Sequence, residues 1–326
     1  MRKPVVTRRY SLAIGLLAGV AMDAVLGDPR RGHPVAAFGN SAAAAERALY
    51  ADSRVRGAVY TVGCVLAAAV PAAAVARLTR RSALAAGTTA ALATWAVTGA
   101  RSLTLEAERL RARLQAGDLS AAREALPALC ARDPRDLDAD AIARAVVESV
   151  AENTSDAVVA PLLWGAVAGV PGLVAYRAIN TLDAMVGYRS ARYRRFGWAA
   201  ARLDDLANLA PARVTALLAV ACAPAVGGSP GAALRAWRIY GSRHPSPNAG
   251  RCESAFAGAL GVTLGGTNVY HGVTETRPSL GDGPPPATAD IHRAVRLSRA
   301  VTWSAAVLAA VLAMACPRPH GKMSER

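Results

Sequence analysis

Long stretches without a charged residue recur along this 326-residue chain, and they limit its fold more than any other feature. Each is close to the roughly 20 residues that an α-helix needs to cross the ~30 Å hydrocarbon core of a bilayer. The uncharged runs cover residues 57–76, 82–100, 157–176, 214–234 and 300–317. Helices buried in a large soluble fold would also be uncharged, but such runs between arginine-rich segments favour a membrane protein.

The composition agrees with helices that pack in lipid. Hydrophobic residues make up 53% of the chain, yet aromatic residues make up only 5%. Small residues let transmembrane helices approach one another closely. We therefore predict an all-α, polytopic helical bundle that forms a single membrane domain over residues 1–326. The predicted membrane segments are 11–27, 57–77, 82–100, 157–179, 211–228 and 299–316, and polar segments with motifs lie at 27–56, 101–156, 180–213 and 235–298.

The net charge of +15 is explained by where the basic residues lie. Most of them flank the apolar runs, where they face anionic lipid and help to set orientation. No basic module with interleaved aromatic residues is present, so we do not expect a nucleic-acid partner. The five Cys show no metal-ligand spacing, which argues against a zinc site. Residues 11–21 follow four basic residues as in a signal peptide, but we expect this stretch to remain as the first membrane segment.

The membrane segment 157–179 is predicted to be broken. Pro161 and the stretch from Gly169 to Gly172 interrupt it and leave halves of about a dozen residues, which suit a re-entrant hairpin better than two crossings. A hairpin would return Asp183 to the membrane face that holds Asp156. A kinked single span would put them on opposite faces, so the hairpin is the prediction that we favour.

The densest polar motif lies just before this segment. Glu148 and Glu152 are four residues apart, so on a helix they share one face, with Asn153 and Asp156 at its end. Carboxylate, amide and hydroxyl oxygens suit a hard cation such as Mg²⁺ with bound phosphate. The same pattern is typical of a solvated helix face followed by a residue, Ser155 or Asp156, that caps the next helix. Both interpretations remain open from the residues alone.

Three further polar segments adjoin apolar sequence. Residues 176–188 place ionisable side chains directly after an apolar run, where they either face a cavity or form a membrane-exit cluster. Asp204 and Asp205 are adjacent, so on a helix only one is expected to reach a shared site. Residues 243–253, which include His244, indicate a proline-rigid loop that attracts anions ahead of a helix.

Together these motifs resemble the CbiB/CobD family, the membrane-bound adenosylcobinamide-phosphate synthases of cobalamin biosynthesis. The resemblance runs in the family's order from about residue 23 to residue 281. The matching stretches are 27–29, 33–35, 147–156, 160–162, 176–183, 185–188, 201–205, 211–213 and 246–250. Ala157 and Ala184 depart from the Gly and Ser that the family usually has, and the second change removes a hydroxyl.

The resemblance implies an ATP-dependent ligase that joins (R)-1-amino-2-propanol O-phosphate, or aminopropanol, to adenosylcobyric acid by an amide bond. It implies Mg²⁺ as a cofactor and ATP as a co-substrate, with the corrinoid as substrate. Besides the lipid bilayer, other late enzymes of the cobalamin pathway are candidate partners. The expected location is the cell (cytoplasmic) membrane, with the active face toward the cytoplasm, where corrinoid and ATP are found.

Candidate site residues follow from the matched motifs. The candidate catalytic residues are Glu148, Glu152, Asn153, Asp156, Asn180 and Asp183, of which Glu152, Asp156 and Asp183 are also candidate Mg²⁺ ligands. The candidate substrate-binding residues are Asp28, His33, Arg177, Tyr188, Asp204, Asp205, His244, Asn248 and Arg251. A multi-pass transporter is an alternative function, because the broken segment 157–176 is typical of transporters. A non-catalytic membrane sensor of the same family is another, although the retained acidic and amide motifs argue against it.

Overall fold

The structure of the protein, a computed structural model, describes residues 3–29, 32–130, 132–188, 190–270 and 273–315, with side chains described only outside 3–9 and 268–275. It is almost entirely helical, as predicted. The helices are α1 (Lys3–Leu26), α2 (Pro34–Leu49), α3 (Arg54–Thr79), α4 (Ala83–Val97), α5 (Ala100–Gln115), α6 (Leu119–Ala125), α7 (Ala139–Thr154), α8 (Ala160–Val186), α9 (Tyr193–Phe196), α10 (Trp198–Ala207), α11 (Leu209–Cys222), α12 (Pro230–Tyr240), α13 (Ala249–Leu260) and α14 (Thr288–Ala315). Short 3₁₀ turns cover Leu126–Ala128 and Ala223–Val226.

Five helical segments of the described chain are long and apolar enough to cross a membrane. They are Arg54–Thr79, Ala83–Gln115, Ala139–Val186, Leu209–Val226 and Thr288–Ala315. The predicted segment 11–27 corresponds to a shorter apolar stretch, Tyr10–Leu26. The last predicted segment, 299–316, ends one residue beyond the described part. The prediction of a polytopic membrane bundle is confirmed.

Helix α3 shows why a soluble fold does not fit this chain. Its large apolar side chains point outward along most of its length, and only 11% of its most apolar stretch is buried. More than half of the surface is exposed for Val55, Val59, Val62, Leu66 and Val70. In water such an apolar face would need a partner, whereas lipid solvates it.

The core forms around α7 and α14. Helix α14 packs against α1, α5, α7, α8 and α11, and residues 145–147 and 150–151 of α7 are almost fully buried. Small residues allow close packing at the edge of this core, since a Cβ atom on Gly15 of α1 would lie 2.5 Å from the Ala90 Cβ atom of α4. The core therefore holds the C-terminal end of α7, which carries the acidic motif, in a fixed position.

Helix α8 is broken at Gly169, which has φ 73° and ψ −161°. The chain folds back at this point. A Cβ atom on Gly172 would lie 2.7 Å from the carbonyl oxygen of Trp164, and one on Gly165 would lie 3.0 Å from Leu173 Cδ1. In a straight helix, residues eight apart are separated by about 12 Å along the axis. The predicted hairpin is therefore present, and the kinked single span is wrong.

The position of the break decides which residues meet. Gly169 comes 13 residues after Asp156 and 14 residues before Asp183, so two arms of nearly equal length return the chain to its starting level. By length and composition Ala139–Val186 counts as one apolar segment of 48 residues. As a straight helix it would be about 72 Å long, more than twice the hydrocarbon thickness. The reversal resolves that mismatch.

Two elements were not predicted from the sequence. Helix α2 occupies most of a segment that was interpreted as a polar loop, residues 27–56. An antiparallel hairpin of β1 (Leu264–Tyr270) and β2 (Val273–Leu280) is a small β addition to the all-α fold, with a bulge between Leu264 and Gly266. The hairpin matters because it forms part of the candidate site.

Candidate functional site

A cavity of about 410 Å³ lies where the two arms of α8 return to α7 and α10. Seven of the predicted site residues line it, and they come from three separated regions of the sequence. These residues are Glu152, Asp156, Asp183, Asp204, Asp205, His244 and Asn248. The structure therefore brings the separated motifs together in one site, as a hairpin at 157–179 predicts.

A π-helical turn, Ser155–Val159, positions the acidic motif at the cavity. The chain continues in helical conformation from Thr154 into α8, so neither Ser155 nor Asp156 caps a new helix. The alternative interpretation of this motif as a helix cap is wrong. The Thr154 hydroxyl is within 2.7 Å of the Ser298 hydroxyl of α14 and donates to the Val150 carbonyl oxygen, which anchors the turn in the core. Such π-turns inside α-helices are frequent at functional sites.

Asp204 is held by a network of amide and phenol groups. Asn208 Nδ2 donates to Asp204 Oδ2 at 2.9 Å, and Asn180 Nδ2 donates to Oδ1 at 3.4 Å. Tyr176 in turn donates its hydroxyl proton to Asn208 Oδ1 at 2.9 Å. Burial raises the pKa of Asp204 to about 6, despite the hydrogen bonds from the two amides. Asn180, predicted as catalytic, does not line the cavity and instead orients Asp204.

Asp205 also lines the cavity. The expectation that only one of the two adjacent carboxylates reaches the site is wrong, because the cavity is wide enough to extend around the end of α10. Asp205 lies 3.4 Å from Arg202 Nη1, and its backbone oxygen accepts a hydrogen bond from Asn248 Nδ2 at 2.8 Å. Asp205 therefore links α10 to the loop that precedes α13.

The loop before α13 contributes two polar side chains with unused hydrogen-bonding atoms. His244 Nδ1 accepts the Ser246 backbone proton at 3.0 Å, which leaves the ring proton of neutral His244 on Nε2. Burial, with Arg277 nearby, lowers the pKa of His244 to about 4, so the ring is neutral at neutral pH. His244 Nε2 and Asn248 Oδ1 have no hydrogen-bond partner among the described residues. One free donor and one free acceptor are thus available to a ligand.

Glu148, predicted as catalytic, lies outside the cavity lining and has both carboxylate oxygens occupied. It forms a buried ion pair with Arg132, and its Oε1 accepts the backbone proton of Gly265 at 2.7 Å. Glu253 lies nearby, 1% exposed, and burial together with Glu148 and Glu152 raises its pKa well above the usual value. Glu148 therefore fixes the β-hairpin against α7, a role that the spacing of Glu148 and Glu152 did not indicate.

Several other predicted residues also lie outside the lining. Asn153 donates to the Ser149 carbonyl oxygen at 2.9 Å and so bonds within α7. Arg177 Nη1 donates to Asn180 Oδ1 at 3.4 Å, and Arg177 is close enough to Asp28 and Asp156 for their charges to interact.

The remaining predicted substrate-binding residues lie around the site. His33 Nε2 is 3.6 Å from Asp28 Oδ1, so these two residues pair with each other at the start of α2. Tyr188 is 40% exposed and directly follows Gly187, which does line the cavity. Arg251 lies on α13 close to Arg213, whose charge together with burial lowers the pKa of Arg251.

The donor set can be compared with what Mg²⁺ requires. Carboxylate oxygens are suitable ligands, and Glu152, Asp156 and Asp183 all line the cavity. However, within the described ranges no three side chains of His, Cys, Asp or Glu converge closely enough to hold a metal ion by themselves. Mg²⁺ commonly binds through one or two carboxylates together with waters and substrate phosphates. The residues fit an ion of that kind and do not form a closed protein cage.

Arg277 lines the cavity and was missed from the sequence. It lies on β2 opposite Gly266 of β1, at a position outside every motif of the resemblance. The available signal was the run of Thr and Val residues between 267 and 276, which is typical of strands. A hairpin predicted from that run would have placed an arginine beside the acidic motif only if its packing against α7 had also been known.

Comparisons with known proteins cover nearly the whole chain. The model of the CobD/Cbib protein family matches residues 16–298. A cobalamin biosynthesis protein CobD of Mycobacterium tuberculosis is 56% identical over 300 residues, which are 92% of this chain and 95% of the relative. Proteins of the same name are 44% identical in Chromobacterium violaceum, over 93% of this chain and 97% of the relative, and in Geobacter metallireducens, over 91% and 95%. No solved structure matches the chain. The matched region includes every residue that lines the cavity.

Proposed function

The chain belongs to the CobD/CbiB family, and on that premise we propose that this cobalamin biosynthesis protein is an ATP-dependent ligase. It joins the amine of (R)-1-amino-2-propanol O-phosphate to the propionate carboxylate of adenosylcobyric acid and so forms adenosylcobinamide phosphate. The observation that carries this proposal is the cavity in which the acidic, amide and histidine motifs meet. A shared site of this kind is what a reaction with three substrates needs.

The chemistry requires activation of the carboxylate, because hydroxide is a poor leaving group. Transfer of a phosphoryl or nucleotidyl group from ATP to the carboxylate oxygen provides a better one, which the amine nitrogen then displaces as the amide bond forms. The amine loses a proton in this step. Asp204 is suited to accept it, since burial raises its pKa to about 6, close to neutral pH. The free Asn248 Oδ1 atom is suited to accept a hydrogen bond from the amine and so to orient it.

One or two of Glu152, Asp156 and Asp183 would hold Mg²⁺ that enters with the phosphates of ATP. When bound, the ion supplies positive charge that offsets the phosphate oxygens and the charge that develops on them. The carboxylates of the chain position those phosphates against the corrinoid carboxylate. Five carboxylates line the cavity, compared with the two arginines Arg202 and Arg277, so a cation is needed before a polyanionic nucleotide can bind.

The proposed location is the cell membrane, with the cavity open to the cytoplasm. Five apolar segments support a membrane location. The cytoplasmic side is proposed because ATP and the soluble corrinoid are found there, and other late enzymes of the cobalamin pathway are proposed as partners for the same reason.

The proposal is tested with purified protein in detergent or nanodiscs. Incubation with adenosylcobyric acid, (R)-1-amino-2-propanol O-phosphate, ATP and Mg²⁺ is expected to give a new amide by mass spectrometry, and omission of ATP is expected to abolish it. Parallel use of free aminopropanol shows which amine is preferred. Flux of a corrinoid into sealed vesicles without any amide product would contradict the ligase and support a transporter.

The rate is expected to depend on pH through Asp204. Its pKa is raised from 3.8 to about 6, so the carboxylate takes up a proton as the pH falls through 6 and can then neither accept a proton nor attract a cation. kcat/KM for the amine should therefore fall roughly tenfold for each pH unit below 6. The measurement is a pH profile of the wild type and of Asp204→Asn. An inflection near pH 6 that persists in Asp204→Asn would assign it to another group.

A further inference from the structure

The β-hairpin is fixed to α7 at two backbone atoms. Glu148 Oε1 accepts the proton of the Gly265 nitrogen at 2.7 Å, and Arg144 Nη2 donates to the Thr267 carbonyl oxygen at 3.3 Å. Glu148 and Arg144 are one helical turn apart, so they hold adjacent parts of the same strand. The Arg132–Glu148 ion pair is buried, with side chains 3% and 5% exposed, which makes this attachment rigid.

Gly266 lets the hairpin approach α7 closely. A Cβ atom on Gly266 would lie 2.9 Å from Arg144 Nη1, and the backbone there has φ +91°, a conformation that favours glycine. The strand residue opposite Gly266 is Arg277. The bulge, the glycine and the contacts to α7 together fix the part of the hairpin from which Arg277 reaches the cavity.

Arg277 and Arg202 differ in their surroundings, although both line the cavity. Arg202 is 61% exposed and pairs with Asp205 at the rim. Arg277 is half-buried and lies close enough to Glu152 and His244 for their charges to interact. A guanidinium in a partly buried site binds phosphate oxygens more strongly than an exposed one, since water competes less.

Arg277 and His244 provide the hydrogen-bond donors of a cavity that is otherwise acidic. The Nε2–H of His244 is buried and has no partner among the described residues, and His244 is 9% exposed. An anion that reaches this part of the cavity meets a planar, permanently charged guanidinium and a neutral imidazole donor. The carboxylates of Asp156 and Asp183 repel the same anion, so the cavity has one part suited to an anion and another suited to a cation.

We propose that Arg277 and the Nε2–H of His244 form a subsite for the terminal phosphate dianion of a substrate, a role that rests on the proposed function. The phosphate belongs either to the phosphorylated amine or to the nucleotide, and both present the same phosphate oxygens. If it belongs to the amine, the subsite selects (R)-1-amino-2-propanol O-phosphate over free aminopropanol. Arg277 is then a specificity-determining residue that acts through binding and not through proton transfer.

The test uses direct binding to the purified, full-length protein. Isothermal titration measures the affinity of (R)-1-amino-2-propanol O-phosphate, of aminopropanol and of Mg²⁺-ATP for wild type, Arg277→Gln and Arg277→Lys. Arg135→Gln is the matched control, because Arg135 is exposed and pairs only with Asp133 in the loop before α7. Arg277→Gln is expected to weaken binding of the phosphorylated amine at least tenfold and to leave free aminopropanol unchanged. Arg277→Lys, which keeps the charge but loses the planar fork, should bind with intermediate affinity.

Weaker binding of Mg²⁺-ATP alone would also support the phosphate subsite and would assign its phosphate to the nucleotide. Unchanged binding of both phosphorylated compounds, or equal weakening of phosphorylated and free amine, would overturn the proposal. If Arg277→Gln does not fold, Arg277→Lys decides the matter by the same criteria. Because binding is measured without turnover, failure of the wild type to form amide would count against the ligase reaction and not against the subsite.

Discussion

Asp183→Asn is expected to lower the rate of amide formation by roughly 10²–10⁴-fold, the range typical of a lost acid–base group, while the protein still inserts and folds. The substitution keeps the size of the side chain and removes its charge from the cavity. Asp183 lines the cavity together with Asp156 and Glu152. Loss of one carboxylate weakens both the attraction for a cation and the acceptance of a proton, so the effect falls on kcat as well as on KM.

The same assay with Glu152→Gln should give a loss of similar size, because Glu152 lines the same cavity from the end of α7. Asp140→Asn is the matched control. Asp140 is an exposed carboxylate in the first turn of α7, at the end opposite the acidic motif. Its replacement should leave the rate unchanged. Amide synthesis at the wild-type rate in both Asp183→Asn and Glu152→Gln would exclude the carboxylates from the reaction.

Gly169→Ala is expected to lower both stability and activity, because Gly169 forms the reversal of α8. Its φ of 73° and ψ of −161° lie in a region that is essentially restricted to glycine, and another residue there costs about 1–3 kcal/mol. The strain favours conformations in which the two arms separate. Since a difference of 1.4 kcal/mol corresponds to a factor of ten, the rate should fall about tenfold or more.

Gly117→Ala is the control for Gly169→Ala. Gly117 also has a positive φ, +74°, and a Cβ atom there would contact nothing within 4 Å. It lies between α5 and α6, away from the cavity. Gly117→Ala should therefore lower the melting temperature without changing the rate of amide formation. Equal rates in the two variants would show that the reversal at Gly169 does not position the site.

The membrane bundle and its broken helix could be predicted because both depend on local sequence. Uncharged runs have the length of a bilayer crossing, and Pro171 beside two glycines interrupts the run 157–176 in its middle. The equal spacing of Asp156 and Asp183 from Gly169 then follows by counting. These features need no knowledge of which helices are neighbours.

The rest of the site depends on contacts between distant residues, which spacing does not reveal. Arg132 and Glu148 pair across 16 residues, and Glu148 binds Gly265 across 117. For that reason Glu148 was interpreted as catalytic from its spacing to Glu152, although the structure places it behind the cavity. Arg277 is separated from Glu152 by most of the second half of the chain, and only the packing of the β-hairpin on α7 brings them together.

The central claim is that the chain reverses at Gly169 and brings Asp156 and Asp183 into one cavity. The most direct test is a spin-label distance between Cys residues introduced at 156 and 183, in a variant whose five native Cys are replaced, reconstituted in lipid. A straight helix would separate these positions by about 40 Å. The reversal predicts a distribution centred well below half that value, whereas a distribution centred near 40 Å would contradict it.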